Sequence, residues 1–176
     1  MRSSLRTAFA TAGALGIALA TSVVTAPASS ADVLDASCVG SVAVTYSPGL
    51  TLTPQAVTAS ASSSYPTCLT SETGVTSATA SGSLTDTLDC NSILTTTSGV
   101  KTYRWNDGTT SRFEYDRTST RVLTQTVLTF TGTITAGKFA GSAAVETNVG
   151  ASIGVLDCLS PGGVTSLSYT ALVEIL

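Results

Sequence analysis

Tyr103-Arg104-Trp105-Asn106-Asp107-Gly108-Thr109-Thr110-Ser111-Arg112-Phe113-Glu114-Tyr115 spells a β-hairpin, with aromatic and polar residues alternating on both sides of an Asn-Asp-Gly turn. The turn sets the register, and the register decides whether the only tryptophan is buried or displayed. In a three-residue loop, Asn106 and Asp107 form a type I turn and Gly108 takes the left-handed position of a G1 bulge. Trp105 then faces Thr109, Tyr103 faces Ser111 and Lys101 faces Phe113. Tyr103, Trp105, Phe113 and Tyr115 share one side, with Thr102, Arg104, Thr110, Arg112 and Glu114 on the other. A two-residue Asp-Gly turn would instead put Tyr103 and Trp105 on one face with Lys101, Arg112 and Glu114. That arrangement is an aromatic strip rimmed by charge, suited to gripping a sugar ring or a peptide segment. The first register is preferred, because four aromatics then bury together without a partner.

The same alternation runs through the rest of the chain, and helical periodicity is nearly absent. Strands are expected at Val39 to Tyr46, Gln55 to Ser62, Gly74 to Leu88 (one bent strand or two), Val100 to Trp105, Thr109 to Tyr115, Arg121 to Thr135, Lys138 to Val149, Ser152 to Leu156 and Val164 to Ile175. Core faces are expected at Leu128, Phe130 and Ile134, at Phe139, Ala143, Val145 and Val149, and at Leu167, Tyr169, Ala171, Val173 and Ile175. About eight to nine such strands must stack as two sheets or close on themselves, so the expected fold is an all-β antiparallel sandwich, with a closed β-barrel as the alternative.

Arg2 and Arg6 precede an apolar run from Ala8 to Val24, and small residues follow it, the pattern of a secretory signal peptide. Residues 1–31 are therefore expected to be removed after Ala31, with Ala28 as the alternative site, and residues 32–176 to form one domain. Of the eight basic residues two lie in the signal segment, so six face eleven acidic ones and leave a formal charge of −5. No basic footprint for nucleic acid exists. Ser and Thr supply about a third of that domain, and hydroxyl-bearing faces suit exposed strands. Cys38, Cys68, Cys90 and Cys158 form an even set in an exported chain, which implies two disulfides. Four cysteines allow three connectivities; Cys38 with Cys68 and Cys90 with Cys158 is the preferred one.

The chain has no histidine, which removes Ser-His-Asp and Cys-His nucleophile systems. Ser98-Gly99-Val100-Lys101 matches the S-x-x-K string of penicillin-interacting enzymes, but those residues meet on a helical turn, and here Lys101 opens a strand. Glu114 and Asp116, two apart on a strand, are the pair a glycoside hydrolase would use, although arginines nearby offer them ordinary ion pairing. Asp86 and Asp89 do not follow the twelve-residue calcium loop. No metal or cofactor is expected.

Cys90, Trp105 and Cys158 resemble the Cys, Trp, Cys framework of immunoglobulin-like sandwiches, with Leu156 where that family carries its corner tyrosine. The resemblance implies a sandwich fold and no activity. Through Trp105-Asn-Asp-Gly-Thr-Thr-Ser111, Gly132-Thr-Ile-Thr-Ala-Gly-Lys-Phe-Ala-Gly141 and Cys158-Leu-Ser-Pro-Gly-Gly163, residues 32–176 also resemble a group of uncharacterised small secreted β-proteins of actinobacteria. The functional expectation is a secreted, non-catalytic binding module in the cell envelope or surrounding medium. Its partner is an extracellular glycan or protein, held by Tyr103, Trp105 and Arg112. The alternatives are a purely structural secreted protein and a glycosidase-like enzyme using an acidic pair.

Overall fold

A computed structural model describes residues 34–176. The expected signal peptide and its cleavage site lie outside those residues. Eight strands follow one another: β1 (Ala36–Leu50), β2 (Gln55–Thr70), β3 (Ala78–Leu88), β4 (Thr97–Trp105), β5 (Thr110–Val122), β6 (Gln125–Gly137), β7 (Ala143–Ala151) and β8 (Val164–Ile175). A 3-10 turn at Cys90–Leu94 joins β3 to β4, and a short helix α1 (Val155–Leu159) precedes β8. Each strand pairs antiparallel with its sequence neighbour, and β1 pairs with β8 from Ala36 opposite Ile175 to Thr45 opposite Ser166. The sheet is therefore a closed up-and-down barrel. The sandwich gives way to its alternative because the long β1 carries register on both edges, to β2 and to β8, and leaves no pair of sheets to stack.

Cysteine pairing is as preferred. Cys38 and Cys68 lie opposite each other on β1 and β2, and Cys90 joins Cys158 across 68 residues. The second bridge ties the 3-10 turn to α1 at one end of the barrel, while Trp105 stands at the opposite end of β4. It does not bridge two sheets. Asp89 caps the 3-10 turn, accepting from the Asn91 and Ser92 amides at 2.9 Å, while the Ser92 hydroxyl accepts from the Asp89 amide at 3.0 Å. From inside the barrel Arg117 donates to the carbonyls of Ser92 and Thr95, fixing the turn over that end.

The expected faces of β6 and β8 point inward: Leu128, Phe130, Ile134, Tyr169, Ala171, Val173 and Ile175 are buried, with Leu167 half-buried. On β7 the expectation is reversed. Glu146 and Asn148 face the interior and Val145 and Val149 the outside, because Glu146 lies between Phe130 and Val173, and Asn148 between Leu128 and Ala171. Two inward-facing neighbours fix the middle strand, whatever its own alternation says. Phe139 is half-buried in the turn before β7, at φ 61°, not in a strand.

Other boundaries differ: β1 and β2 run on through Pro48 and Pro66 to Leu50 and Thr70, and β3 and β7 begin only at Ala78 and Ala143. β5 runs on to Val122 and turns through Leu123 and Thr124, a tight connection with no Gly, Asn or Asp to announce it; Leu123 itself adopts φ 55°. Ser152 to Leu156 forms no strand but leads into α1.

Candidate functional site

The hairpin takes the three-residue turn. Gly108 sits at φ 84° and donates to the Trp105 carbonyl, the Trp105 amide donates to Thr109, and Tyr103 pairs with Ser111. Tyr103 and Trp105 are inside the barrel and Arg112 is outside, so the three share no surface. Trp105 is 4% exposed, packs edge-on against Phe139 with centroids 5.4 Å apart, and donates its indole N–H to Ser111 at 2.8 Å. Its emission is expected to be blue and shielded from iodide, and a quencher-accessible, red-shifted band would show that the hairpin has the other register.

All five tyrosines, Tyr46, Tyr65, Tyr103, Tyr115 and Tyr169, stand at inward positions, and burial pushes every one of their hydroxyls above the ordinary value of 10.0. Above pH 10 the unfolded chain sheds phenolic protons that the folded chain keeps, so stability falls as pH rises through that range. An alkaline titration followed by tyrosinate absorbance should show one cooperative step that coincides with unfolding. Graded ionisation starting at the ordinary tyrosine value would contradict an interior lined by these rings.

Sequence reasoning missed the charged centre of that interior. Glu146 is 0% exposed and accepts four hydrogen bonds: Lys101 Nζ to Oε1 at 2.7 Å and to Oε2 at 2.6 Å, Tyr103 Oη to Oε2 at 2.6 Å, and Asn148 Nδ2 to Oε1 at 2.9 Å. Lys101 reaches it past the Phe130 ring, 5.0 Å from its centroid. The Tyr65 hydroxyl, close enough to Glu146 to feel its charge, has no hydrogen-bond partner, and neither has Asn148 Oδ1. The signal available in sequence was Lys101 opposite Phe113, hence on the aromatic side of the preferred register. An inward cation in a barrel requires an inward carboxylate.

The acidic pair lies on the outer surface. Glu114 and Asp116 border an open depression of about 590 Å³ across β4, β5 and β6. Arg112 pairs with Glu114, and the Ser98 hydroxyl donates to Asp116 at 2.6 Å. Ser98 and Lys101 therefore diverge to opposite faces of β4, so the S-x-x-K string brings no nucleophile to a lysine. Among the described residues no His, Cys, Asp or Glu group is arranged to hold a metal ion.

The barrel wall is incomplete at one place. β3 and β4 pair only at Ala78 with Trp105 and Thr79 with Arg104, then diverge. From Ala80 to Leu88, β3 pairs only with β2, and from Thr97 to Tyr103, β4 pairs only with β5. The inner face of β3 is consequently open: Leu84, at an inward position opposite Ala59, is 57% exposed, and a Cβ added at Gly82 would meet nothing within 4 Å. On the other bank the Tyr115 ring lies directly over Gly99, while Val100 faces outward opposite Glu114. Ala59, Ala61, Gly82 and Gly99 keep this part of the interior uncrowded, whereas the residues around Glu146 are closed off. No helix of the described residues is long and apolar enough to cross a membrane. No protein-family model, no curated protein and no solved structure matches the chain.

Proposed function

We propose that the protein is a secreted, non-catalytic binding module that takes an extended segment of a partner protein into the opening between β3 and β4. The observation that carries this is the pair of unpaired strand edges. Backbone groups along an exposed edge are a template for another strand, and most proteins blunt them with lysine, proline or a bulge. The β3 edge from Ser81 to Leu88 carries one charge, Asp86, and no proline. Strand addition supplies affinity through main-chain hydrogen bonds and specificity through alternate side chains. In this opening every second side chain of the guest would enter over Gly82 and Leu84 toward Tyr115. Two disulfides, together with the basic and apolar start of the chain, support an oxidising extracellular setting. A glycan partner loses its basis, since Tyr103 and Trp105 are interior.

Selecting a displayed random-peptide library on the oxidised protein tests this. Peptides that bind are expected to bind the Leu84→Lys and Gly82→Lys variants at least ~10-fold more weakly, about 1.4 kcal/mol. A Thr131→Lys variant on the outer face of β6 should leave them unaffected. An empty selection, or peptides indifferent to both bank variants, would reject strand addition. Binding confined to a glycan panel would return the sugar reading.

A further inference from the structure

Lys101, Glu146 and Asn148 meet in a closed aromatic setting. Oε1 of Glu146 accepts from Lys101 Nζ at 2.7 Å and from Asn148 Nδ2 at 2.9 Å, so an amine and a carboxamide are held against one carboxylate oxygen. Lys101 stands on β4 and Asn148 on β7, on different walls of the barrel, with Phe130 and Tyr103 flanking the amine. Asn148 Oδ1 accepts no hydrogen bond, and the buried Tyr65 hydroxyl lies near Glu146 and Ser63 without a well-formed one.

We propose that Lys101 and Asn148 become joined by an intramolecular amide bond, formed by the folded protein itself with Glu146 as its proton relay. Glu146 takes a proton from the Lys101 ammonium, freeing the Nζ lone pair to attack Cγ of Asn148. Negative charge gathers on Oδ1, to which the Tyr65 hydroxyl, held near Glu146, would turn to donate. The Cγ–Nδ2 bond then breaks as Glu146 passes the protons lost from Nζ to Nδ2. Two protons move in all, so the leaving group departs as ammonium, Glu146 ends as the carboxylate it began as, and no oxidant or co-reactant is consumed. An unactivated amide and an amine do not combine in water. Here the two are held together for the lifetime of the fold, water is excluded, and effective concentrations of such held groups reach ~10⁵ M or more. Lys101 keeps 15% side-chain exposure, so the released ammonium has contact with solvent. The bond would tie β4, the strand with the weakest hold on its β3 neighbour, to β7 through the interior.

The intact mass of the protein, purified after expression of the full chain, with disulfides reduced and the N-terminus sequenced, reads the reaction directly. The expected mass is ~17 Da below that of the sequence, one ammonia, with tandem spectra placing the link between the Lys101 and Asn148 peptides. Glu146→Gln and Asn148→Ala variants should show no such loss. Full mass for the wild-type protein, or a loss of ~17 Da located at another asparagine, would overturn the proposal, and neither outcome depends on the variants folding.

Discussion

Glu146→Ala, placed in an Asn148→Ala background in which no Lys101–Asn148 bond can form, is expected to destabilise the protein by about 3 to 5 kcal/mol, the range for removing one partner of a buried ion pair. The change leaves the Lys101 ammonium against Phe130 with no counter-charge, and strips the Tyr103 hydroxyl of its acceptor. A full Lys101–Glu146 pair is a different matter. Two desolvated charges largely offset their attraction by the cost of leaving water, so Lys101→Met combined with Glu146→Leu should recover most of the loss. Urea midpoints at unchanged slope measure both. Failure of the Lys101→Met, Glu146→Leu combination to recover stability in that background would mean that the cost resides in Tyr103 rather than in the unpaired charge. Glu146→Ala at the stability of that background would place Glu146 in water.

Replacing Cys90 and Cys158 together by alanine is the second large effect. Cross-linking residues 68 apart in sequence restricts the unfolded chain by about 4 kcal/mol in the loop-entropy account. The Cys38–Cys68 bridge spans 30 residues and is worth about 3.5 kcal/mol on the same basis. Their structural consequences differ more than these figures. Cys38 and Cys68 staple two strands already in register, so their loss should leave the barrel's shape intact. The 3-10 turn and α1 are five residues each, too short to hold themselves. Besides the bridge, the turn is held by Arg117 and by the Cys90 amide donating to the Thr51 carbonyl. Hydrogen exchange should therefore rise locally at residues 89–95 and 155–160 in the Cys90/Cys158 variant and not in the Cys38/Cys68 variant. Equal, barrel-wide loosening in both would contradict that division.

Legibility in the sequence followed the strength of local constraints. Gly108 alone supports the left-handed turn position, and from it the entire β4–β5 register follows, including the burial of Trp105 and the outward direction of Arg112. β6 and β8 declare their inner faces because each carries large apolar residues on one side and hydroxyls on the other. β7 misleads because Val145 and Val149 are more apolar than Glu146 and Asn148, and only its two neighbours reveal that the polar side faces in. Nothing in the alternation of β1 distinguishes a sheet edge from a strand that also meets β8, so barrel and sandwich look alike until long-range pairing is known. The Leu123-Thr124 turn escaped for a similar reason, since the pairing of β5 with β6 enforces it against residue preference. The β3–β4 opening had a faint trace in Gly82 and in a long Ser/Thr/Ala segment with little to bury.

A barrel closed everywhere except between β3 and β4 is the central claim, and amide hydrogen exchange followed residue by residue tests it most directly. Protection is expected on both edges of β1, including Val42 and Val44 where β8 completes the wall, and to be low for the gap-facing amides between Gly82 and Thr87 and between Ser98 and Thr102. Uniform protection through β3 and β4, or rapid exchange along the β1–β8 seam, would contradict it.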